Sequence, residues 1–434
     1  MLLEKFILQK YTLPPCPAEF LDITIDENKV QDESGKVLDI VFPFAKSPVI
    51  SSDLKDSKVL VEGEGLKKVI EISLDAKDLP SFYPGDTIGV LTENLSEDVD
   101  FFLDHLGLSN SADNECSLSI KKNTTKKAAK IPFSQITTPR QILRDYLNFR
   151  SIPKKLFLRS LVEYTENPSE RHFLGTLSSK EGAKLYSELT GEKKKTFVEI
   201  LKSCPSCKPS LSLLIEHLPK LLPRPYSLAN SHLKSPDIKV IFSVLEENPG
   251  LTTSLMEKSP ETLRIYLREP NHFRYSDEDF EKNQIMISVG CGVAPFIGFL
   301  EHKEELLKLK ENKGKSWLFN GVRCKESSIY RERFIEFKAS GVLDKFFESY
   351  SRDEECKYKY VQDQIVGNEE SFVKLLLKEE TVLFVCADGA GISKGVEECI
   401  SKCLERVLAI DDVQSKELVL KFKKERKYRE DLWV

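Results

Sequence analysis

The stretch from residue 285 to residue 300 has the sequence IMISVGCGVAPFIGFL, and it decides the fold class of the second half of the chain. Ile285–Val289 is an apolar run of strand length, Gly290 and Gly292 form a turn, and apolar side chains then recur at helical spacing. Small residues at such a junction let backbone N–H groups approach a phosphate, whose charge is favoured at a helix N-terminus. The stretch predicts a βα unit of a nucleotide-binding domain, although such junctions also form simply for packing.

Two further apolar runs end in residues that are typical of ligand sites. Trp317–Phe319 leads to Asn320-Gly321-Val322-Arg323, and Val382–Cys386 leads to Ala387-Asp388-Gly389. Amphipathic helices alternate with these strands, which predicts a parallel sheet covered by helices. Because ligands of such sheets bind beyond the carboxyl ends of the strands, the three strand ends together predict a nucleotide site.

A hydroxyl and several cationic residues follow in the segment from residue 351 to residue 360. Ser351 and Arg352 are followed by Lys357, Lys359 and Tyr360. An arginine beside a hydroxyl suits a phosphomonoester such as the 2′-phosphate of NADPH. A surface charge cluster is the alternative interpretation.

The first half of the chain changes character twice. Strand-like segments such as Val69–Leu74 and Thr87–Leu91 fill the first ~90 residues, and strands return at Ile238–Leu245 and Leu263–Leu267. Between about residues 95 and 220 the apolar spacing is helical, beginning with a helix that Ser96 can cap. The predicted order is therefore a sheet or barrel, a helical insertion, the rest of the barrel and an α/β domain.

Two motifs in the middle of the chain suit a dinucleotide. In Pro223-Arg224-Pro225-Tyr226-Ser227, strand alternation places Arg224 and Tyr226 on one face and Ser227 on the other. An arginine for a pyrophosphate and an aromatic ring for stacking fit such a cofactor. Gly250-Leu251-Thr252-Thr253-Ser254 has the composition of a second phosphate cradle, and equally that of an ordinary helix cap.

Composition excludes several classes of function. The net charge of −5, with 40% hydrophobic and 31% charged residues, gives no support to nucleic-acid binding. No apolar run approaches the ~20 residues that span a bilayer, and the N-terminus is unlike a signal peptide, so a cytoplasmic protein is expected. Ten cysteines indicate reduced thiols, and Cys204 and Cys207 have metal-ligand spacing without a second pair, so no metal site is expected. Asp431-Leu432-Trp433-Val434 ends the chain, where a frayed tail is the default expectation and a docking anchor the alternative.

Taken together, these motifs resemble the diflavin branch of the ferredoxin–NADP reductase superfamily, whose FAD domain carries a helical connecting insertion. Four segments look like the methionine synthase reductases within that branch: 152–165, 205–227, 294–300 and 359–363. The resemblance extends from about residue 20 to the end of the chain. It implies an N-terminal tail at 1–19, an antiparallel FAD-binding β-barrel at 20–275 with the helical insertion at about 95–220, and a doubly wound parallel α/β NADPH-binding domain at 276–434.

The resemblance also implies a role for individual residues. The implied FAD contacts are Arg224, Tyr226, Ser227, Gly250, Thr253 and Trp433. The implied NADPH contacts are Gly290, Gly292, Pro295, Arg323, Ser351, Arg352, Lys359, Tyr360 and Asp388. The implied hydride path is lined by Ser227, Cys386, Asp431 and Trp433, with Trp433 stacked on the flavin and moving aside for nicotinamide. Ser288 and Cys291 stand where the family usually has glycine and threonine, which predicts weaker NADPH binding.

The implied function is transfer of electrons from NADPH through FAD to a flavodoxin-like FMN protein or domain, since no FMN-binding loop precedes the reductase module. The use implied by the resemblance is reductive reactivation of cobalamin-dependent methionine synthase. The alternatives are a more general NADPH-flavodoxin reductase and a non-catalytic FAD-binding partner or chaperone. The presence of Ser227, Cys386, Asp431 and Trp433 argues against the non-catalytic alternative.

Overall fold

The strands gather into a two-stranded, a six-stranded and a five-stranded sheet within the described part of the chain. The computed structural model describes residues 5–31, 42–122, 124, 130–133, 136–245, 250–311, 314–389 and 391–433, with Trp433 described in its backbone alone. The strands are β1 (Leu21–Val30), β2 (Ile50–Val61), β3 (Val69–Leu74), β4 (Thr87–Val90), β5 (Asn114–Ile120), β6 (Arg224–Ser227), β7 (Ile238–Ser243), β8 (Thr262–Leu267), β9 (Asn283–Val289), β10 (Ser316–Val322), β11 (Lys345–Tyr350), β12 (Thr381–Asp388) and β13 (Tyr428–Trp433).

The helices occur in the segment between β4 and β6, once between β7 and β8, and from β8 onward around the strands of the parallel sheet. In chain order they are α1 (Ser96–His105), α2 (Pro139–Gln141), α3 (Lys155–Leu161), α4 (Pro168–Ser178), α5 (Ala183–Ser187), α6 (Phe197–Lys202), α7 (Leu211–His217), α8 (Leu251–Glu257), α9 (Asp277–Phe280), α10 (Ala294–Leu307), α11 (Arg331–Ala339), α12 (Val361–Gly367), α13 (Glu369–Leu376), α14 (Ile392–Leu408) and α15 (Asp412–Lys424).

The chain divides into two compact units, and the first contains the helical insertion. Unit one comprises Met1–Phe42 and Thr92–Leu222, with β1 paired antiparallel to β5. Its core is built from the apolar faces of α1 to α7 and includes Cys204 and Cys207, which are fully buried, unpaired thiols. Burial raises the pKa of Cys207 to about 11, as expected of an inert core thiol.

Unit two, comprising Pro43–Leu91 and Pro223–Val434, contains the other two sheets. The six-stranded sheet is antiparallel, in the order β6-β4-β8-β2-β3-β7. Leu228, just after β6, forms a bridge with Val240 of β7, so the two edge strands meet and the sheet closes as a barrel. Fully buried Ile72, Ile88 and Ile265 belong to its interior, where β-branched side chains fit a pleated surface.

The five-stranded sheet is parallel throughout, in the order β11-β10-β9-β12-β13. Alternate residues of its strands enter two separate cores, Met286 and Leu318 on one face and Ile287 and Phe319 on the other. Apolar groups on both faces explain why the predicted strands were continuous hydrophobic runs. The strand order reverses between β9 and β12, which is the switch point of a doubly wound sheet. The predicted fold class, a barrel with a helical insertion followed by a doubly wound parallel domain, is confirmed.

Two local predictions were wrong. Helix α1 begins at Ser96, but the capping position is occupied by Leu95, and Ser96 is the first helical residue. The C-terminal residues do not form a frayed tail, because Tyr428–Trp433 pairs along β12 as an edge strand. Nothing in the local sequence of this segment shows that partner, which lies about forty residues earlier in the chain.

Candidate functional site

A row of polar residues crosses the parallel sheet near the carboxyl ends of its strands. Ser288 of β9, Cys386 of β12 and Asp431 of β13 are neighbours in register. Strand pairing therefore places a hydroxyl, a thiol and a carboxylate side by side across the switch point. In open α/β sheets this crevice is where ligands bind.

The end of a barrel strand meets this row. Ser227 is the last residue of β6, where it pairs with Thr87 of β4. Its Oγ donates a hydrogen bond to Oδ2 of Asp431 at 2.5 Å. The bond joins residues 204 positions apart, and it connects the barrel directly to the parallel sheet.

Burial controls the protonation of the two acidic groups in this cluster. Desolvation raises the pKa of Asp431, while the hydrogen bond from Ser227 and the charge of Arg268 oppose the rise. Complete burial raises the pKa of Cys386 well above its ordinary value, and nearby Asp431 and Cys291 add to the effect. Cys386 is therefore a neutral thiol, able to donate a weak hydrogen bond but unsuited to act as a nucleophile.

The glycine turn lies one step beyond Ser288. Gly290 has a φ of +59°, and apart from its two chain neighbours no heavy atom of the described residues lies within 4 Å of where a Cβ would be. Gly290–Val293 forms a 3₁₀ turn that contains buried Gly292 and leads into α10, with Pro295 in the first turn of the helix. A left-handed glycine in open space leaves its backbone accessible to a ligand phosphate.

The residues predicted to contact the 2′-phosphate and adenine of NADPH lie close together at the β11 edge of the parallel sheet. The amide of Arg352 donates to the carbonyl of Arg323 at 2.8 Å, and the amide of Ser351 donates to that of Val322 at 2.9 Å. The hydroxyl of Ser349, in β11, donates to the carbonyl of Tyr360 at 3.0 Å. This bond holds the segment of Lys359 and Tyr360 beside the end of β11. Arg352, Lys359 and Tyr360 are exposed.

The predicted FAD contacts are less closely grouped. Arg224 is exposed at the start of β6, while Tyr226 is half-buried against the barrel core, with its ring edge-on to Phe242 at 6.3 Å. Burial raises the pKa of Tyr226. Gly250 precedes α8, where Thr253 Oγ1 donates to its carbonyl at 3.0 Å. Within the described residues, no hydrogen bond or ion pair links this pair to Arg224.

The last two predicted residues lie at the top of β12 and β13. Asp388 is in register with Trp433, and its Oδ1 accepts a hydrogen bond from the amide of Gly391 at 3.1 Å. The backbone of Trp433 is therefore two residues beyond Asp431 on the same strand. The side chain of Trp433 lies outside the described residues, so its predicted stacking stays a prediction.

Sequence reasoning gave no contact role to three residues of this region. Arg268 stabilises the ionised form of Asp431 from the end of β8, and Cys291 packs in the same core as Cys386. Thr252 is 3% exposed, and its Oγ1 has no hydrogen-bond partner among the described residues. Motif spacing could have identified Thr252, which lies inside the quoted helix-start segment. Arg268 carries no local signal, because it is brought near the site by strand pairing: its amide donates to the carbonyl of Thr87, which pairs with Ser227.

Two searches of the described residues give negative results. None of their helices combines the length and apolar character that crossing a membrane requires. Nor do they contain a cluster of three or more His, Cys, Asp or Glu side chains placed to hold a metal ion.

Comparison with protein families matches both parts of the chain to known domains. Residues 42–253 match the family described as FAD binding domain, and residues 286–396 match the oxidoreductase NAD-binding domain. The first match contains Ser227 and the barrel strands up to β7, and the second contains the Gly290 turn and Cys386. Ser227 of the first match contacts Asp431, which lies beyond the second match on the strand that pairs with β12.

Individual relatives agree with these matches. The chain is 32% identical over 464 residues to methionine synthase reductase of Mus musculus and 31% identical over 462 residues to that of Homo sapiens. Each alignment covers 97% of this chain, and 66% and 65% of the respective relative. NADPH–cytochrome P450 reductase of Homo sapiens is 28% identical over 415 residues, covering 90% of this chain and 59% of the relative. The chain thus spans just under two thirds of the length of these methionine synthase reductases.

Proposed function

The chain belongs to the diflavin reductase family, of which it carries the FAD- and NADP-binding half, and from this premise we propose that it oxidises NADPH and reduces bound FAD. The electrons then pass to a flavodoxin-like FMN protein or domain. The process served is reductive reactivation of cobalamin-dependent methionine synthase. Similarity to methionine synthase reductases along 97% of the chain supports this use over a general one.

The observation that carries the proposal is the contact between Ser227 and Asp431. It joins the end of a barrel strand to the switch point of the nucleotide-type sheet, beside the thiol of Cys386. A hydride donor held at the sheet and an acceptor held at the barrel would meet where these three side chains converge. Without such a role, burying three polar groups at a poorly solvated junction would only reduce the stability of the fold.

The residues present fit both cofactors. The open space around left-handed Gly290 suits a pyrophosphate, and the exposed Arg352 beside Ser351 suits a 2′-phosphate. On the barrel, Arg224 and the start of α8 would hold the FAD pyrophosphate, and Tyr226 would border the flavin. The buried hydroxyl of Thr252 in that helix, which has no hydrogen-bond partner among the described residues, is consistent with a ligand donor or acceptor nearby.

When bound, NADPH supplies the hydride and FAD accepts it. The protein's contribution is alignment and electrostatics. The carboxylate of Asp431 stabilises the positive charge that develops on nicotinamide, and its hydrogen bond from Ser227 keeps more of it ionised. The neutral thiol of Cys386 orients the ring from the neighbouring strand. Trp433, two residues after Asp431, shields the flavin and moves aside for the coenzyme.

The domain boundaries inferred from the sequence belong to the same proposal. The FAD-binding barrel would occupy 20–275, with the helical insertion at about 95–220 and a short tail at 1–19, and the NADPH-binding domain would occupy 276–434. The proposed compartment is the cytoplasm, where reduced thiols such as Cys204 and Cys207 persist.

A comparison of electron acceptors tests the specific use. The FAD-loaded protein is supplied with NADPH, and electron transfer is measured to a flavodoxin and to the FMN domain of a methionine synthase reductase. Faster reduction of the FMN domain, and recovery of inactivated methionine synthase when both are present, is the expected result. Equal rates with both acceptors and no recovery of methionine synthase would leave a general reductase as the function.

A further inference from the structure

Glu348, in strand β11, holds a carboxylate that is almost fully enclosed. Its side chain is 7% exposed, and three donors converge on it. The hydroxyl of Ser328 donates to Oε1 at 2.5 Å, while Nε of Arg331 at 2.8 Å and the hydroxyl of Tyr350 at 3.0 Å donate to Oε2. Because a buried carboxylate is costly unless it is paired and hydrogen-bonded, this full set of partners fixes all four side chains.

The donors come from two separate elements. Ser328 and Arg331 flank the start of α11, whereas Tyr350 is the last residue of β11. The carboxylate therefore ties the N-terminal end of that helix to the end of the strand. Ser351 and Arg352, the predicted readers of a 2′-phosphate, follow Tyr350 directly.

The backbone of the same strand is fixed from its other side. The carbonyl of Glu348 accepts a hydrogen bond from Nε2 of Gln364 in α12 at 2.8 Å. The next residue, Ser349, donates to the carbonyl of Tyr360, and the amide of Tyr350 donates to the carbonyl of Tyr358 at 3.3 Å. The strand end is thereby held between α11 on one side and the segment that leads into α12 on the other.

We propose that Glu348 is a positioning residue, which fixes Ser351 and Arg352 relative to Tyr360 so that together they recognise the 2′-phosphate of NADPH. The inference rests on the proposed function, since it takes NADPH as the coenzyme. Glu348 touches none of the coenzyme in this scheme. It acts through Tyr350 and Arg331, and its charge is neutralised by the latter.

The direction in which phosphate affinity changes when Glu348 is removed distinguishes a positioning role from a purely electrostatic one. A carboxylate near a phosphate repels it, so a purely electrostatic role predicts that removing Glu348 tightens phosphate binding. A positioning role predicts weaker binding, because the donors lose their common acceptor and the strand end loosens. Glutamine keeps one acceptor oxygen and the shape of the side chain while removing the charge, so it rescues positioning but not electrostatics.

The test measures binding of 2′,5′-ADP and of 5′-ADP to the FAD-loaded full chain by titration calorimetry. Glu348→Ala is expected to weaken 2′,5′-ADP binding about tenfold, the loss of one to two charged hydrogen bonds, and 5′-ADP binding less than twofold. Glu348→Gln is expected to lie within about threefold of the wild type. Glu336→Ala removes the same charge from an exposed position in α11, 63% exposed, and is expected to change neither constant.

Tyr350→Phe provides a second variant that removes one donor and leaves the carboxylate paired with Arg331. It is expected to weaken 2′,5′-ADP binding about threefold, so the inference remains testable if Glu348→Ala does not fold. Unchanged or tighter binding of 2′,5′-ADP in Tyr350→Phe, and in Glu348→Ala where that variant folds, would overturn the positioning role. If the proposed function were wrong, the result would differ, because the wild type itself would bind 2′,5′-ADP no better than 5′-ADP.

Discussion

At the scale of single residues, the molecule places a carboxylate where burial opposes its ionisation. Asp431 stays connected to two groups that favour the charged form, the hydroxyl of Ser227 and the more distant charge of Arg268. Such a carboxylate is destabilising to the fold and useful for stabilising a developing positive charge. Substitutions at this contact should therefore change both the rate of FAD reduction and the stability of the fold.

Ser227→Ala is expected to slow reduction of FAD by NADPH by roughly one to two orders of magnitude, because Asp431 loses a charged hydrogen bond. The pKa of Asp431 should rise further, since Ser227 lowers it in the native protein. The fall in rate at low pH would then begin at a higher pH than in the wild type. Stopped-flow reduction across a pH series checks both effects, and a pH profile that does not move would contradict the role of the hydroxyl.

Asp431→Asn is expected to raise the midpoint of thermal unfolding at pH 7 by a few degrees while lowering the rate of flavin reduction at least tenfold. The folded-state pKa of Asp431 is raised above its ordinary value of 3.8, so its contribution to stability is lost as pH rises through that window. Asparagine stays neutral and still accepts a hydrogen bond from Ser227. Calorimetry at pH 4 and pH 7 should show the advantage of the variant only at the higher pH; an advantage equal at both would count against buried charge as the cause.

Residue identities at the site were predictable from family resemblance, but their proximity was not visible in the sequence. Ser227, Cys386 and Asp431 are separated by 159 and 45 positions, and the register of β12 with β13 sets the second of these contacts. Arg268 was missed because electrostatic proximity leaves no trace in a local motif. The roles given to all the predicted site residues, Ser227, Cys386 and Asp431 included, stay predictions.

At the scale of elements, the turn between β9 and α10 depends on backbone conformation more than on side chains. Gly290 and Gly341 both have positive φ, +59° and +78°, and both face open space. Only Gly290 lies at the carboxyl end of the sheet, whereas Gly341 connects α11 to β11. Substituting each glycine by alanine therefore distinguishes the backbone strain of an added Cβ, expected at both positions, from an effect on coenzyme binding, expected only at Gly290.

Gly290→Ala and Gly341→Ala are each expected to reduce the free energy of unfolding by roughly 1 kcal/mol, the cost of a left-handed alanine. Gly290→Ala should also weaken NADPH binding at least fivefold, since the altered backbone moves N–H groups away from the phosphate. Denaturant unfolding and titration with NADPH measure the two effects. Equal NADPH affinity in the two variants would show that the turn does not hold the coenzyme.

Element prediction succeeded where a segment carries its own periodicity. Val69–Leu74 and the core of β9 were predicted within a few residues, because the first is rich in apolar and β-branched residues at strand length and the second is a nearly continuous apolar run. Strand β13 was missed, since its sequence YREDLW is mostly polar and it is a strand only through pairing with β12. Tertiary pairing overrides local propensity at such edges.

At the scale of the whole molecule, the barrel and the parallel sheet of unit two are packed through helix α10. A Cβ on Gly298 would lie 3.0 Å from the backbone of Asn230, so the helix approaches the barrel segment as closely as glycine allows. One turn later, Nδ1 of His302 lies 2.9 Å from the hydroxyl of Ser231, and Nε2 lies 3.2 Å from Oδ1 of Asp277. The helix that follows the Gly290 turn is thus also one of the contacts with the barrel.

This junction is expected to make stability depend on pH. Burial lowers the pKa of His302, and that of neighbouring His232, below the ordinary value of 6.5. The unfolded chain then binds protons first as pH falls, so the free energy of unfolding should decrease from about pH 6.5 downward. His302→Gln should reduce that slope between pH 7 and pH 5, while His272→Gln, at an exposed position, should leave it unchanged. Urea unfolding at each pH is the measurement, and equal slopes in all three proteins would contradict the account.

The order of the domains was predictable at this scale, because composition changes from strand-like to helical and back along the chain. The helical insertion expected at about 95–220 corresponds to the part of unit one between Thr92 and Leu222. The pairing of β1 with β5, a strand inside that insertion, was not predicted, since it joins segments about ninety residues apart. Long-range pairings of this kind depend on the completed fold.

The most direct test of the central claim is an anaerobic stopped-flow experiment on the FAD-loaded protein mixed with NADPH, followed at the visible flavin absorbance. Rapid bleaching by NADPH, much slower bleaching by NADH at the same concentration, and loss of the rapid phase in Ser227→Ala are the results that the account predicts. A protein that holds stoichiometric FAD but is not bleached by NADPH would contradict the proposed reductase function, whatever acceptor it were given.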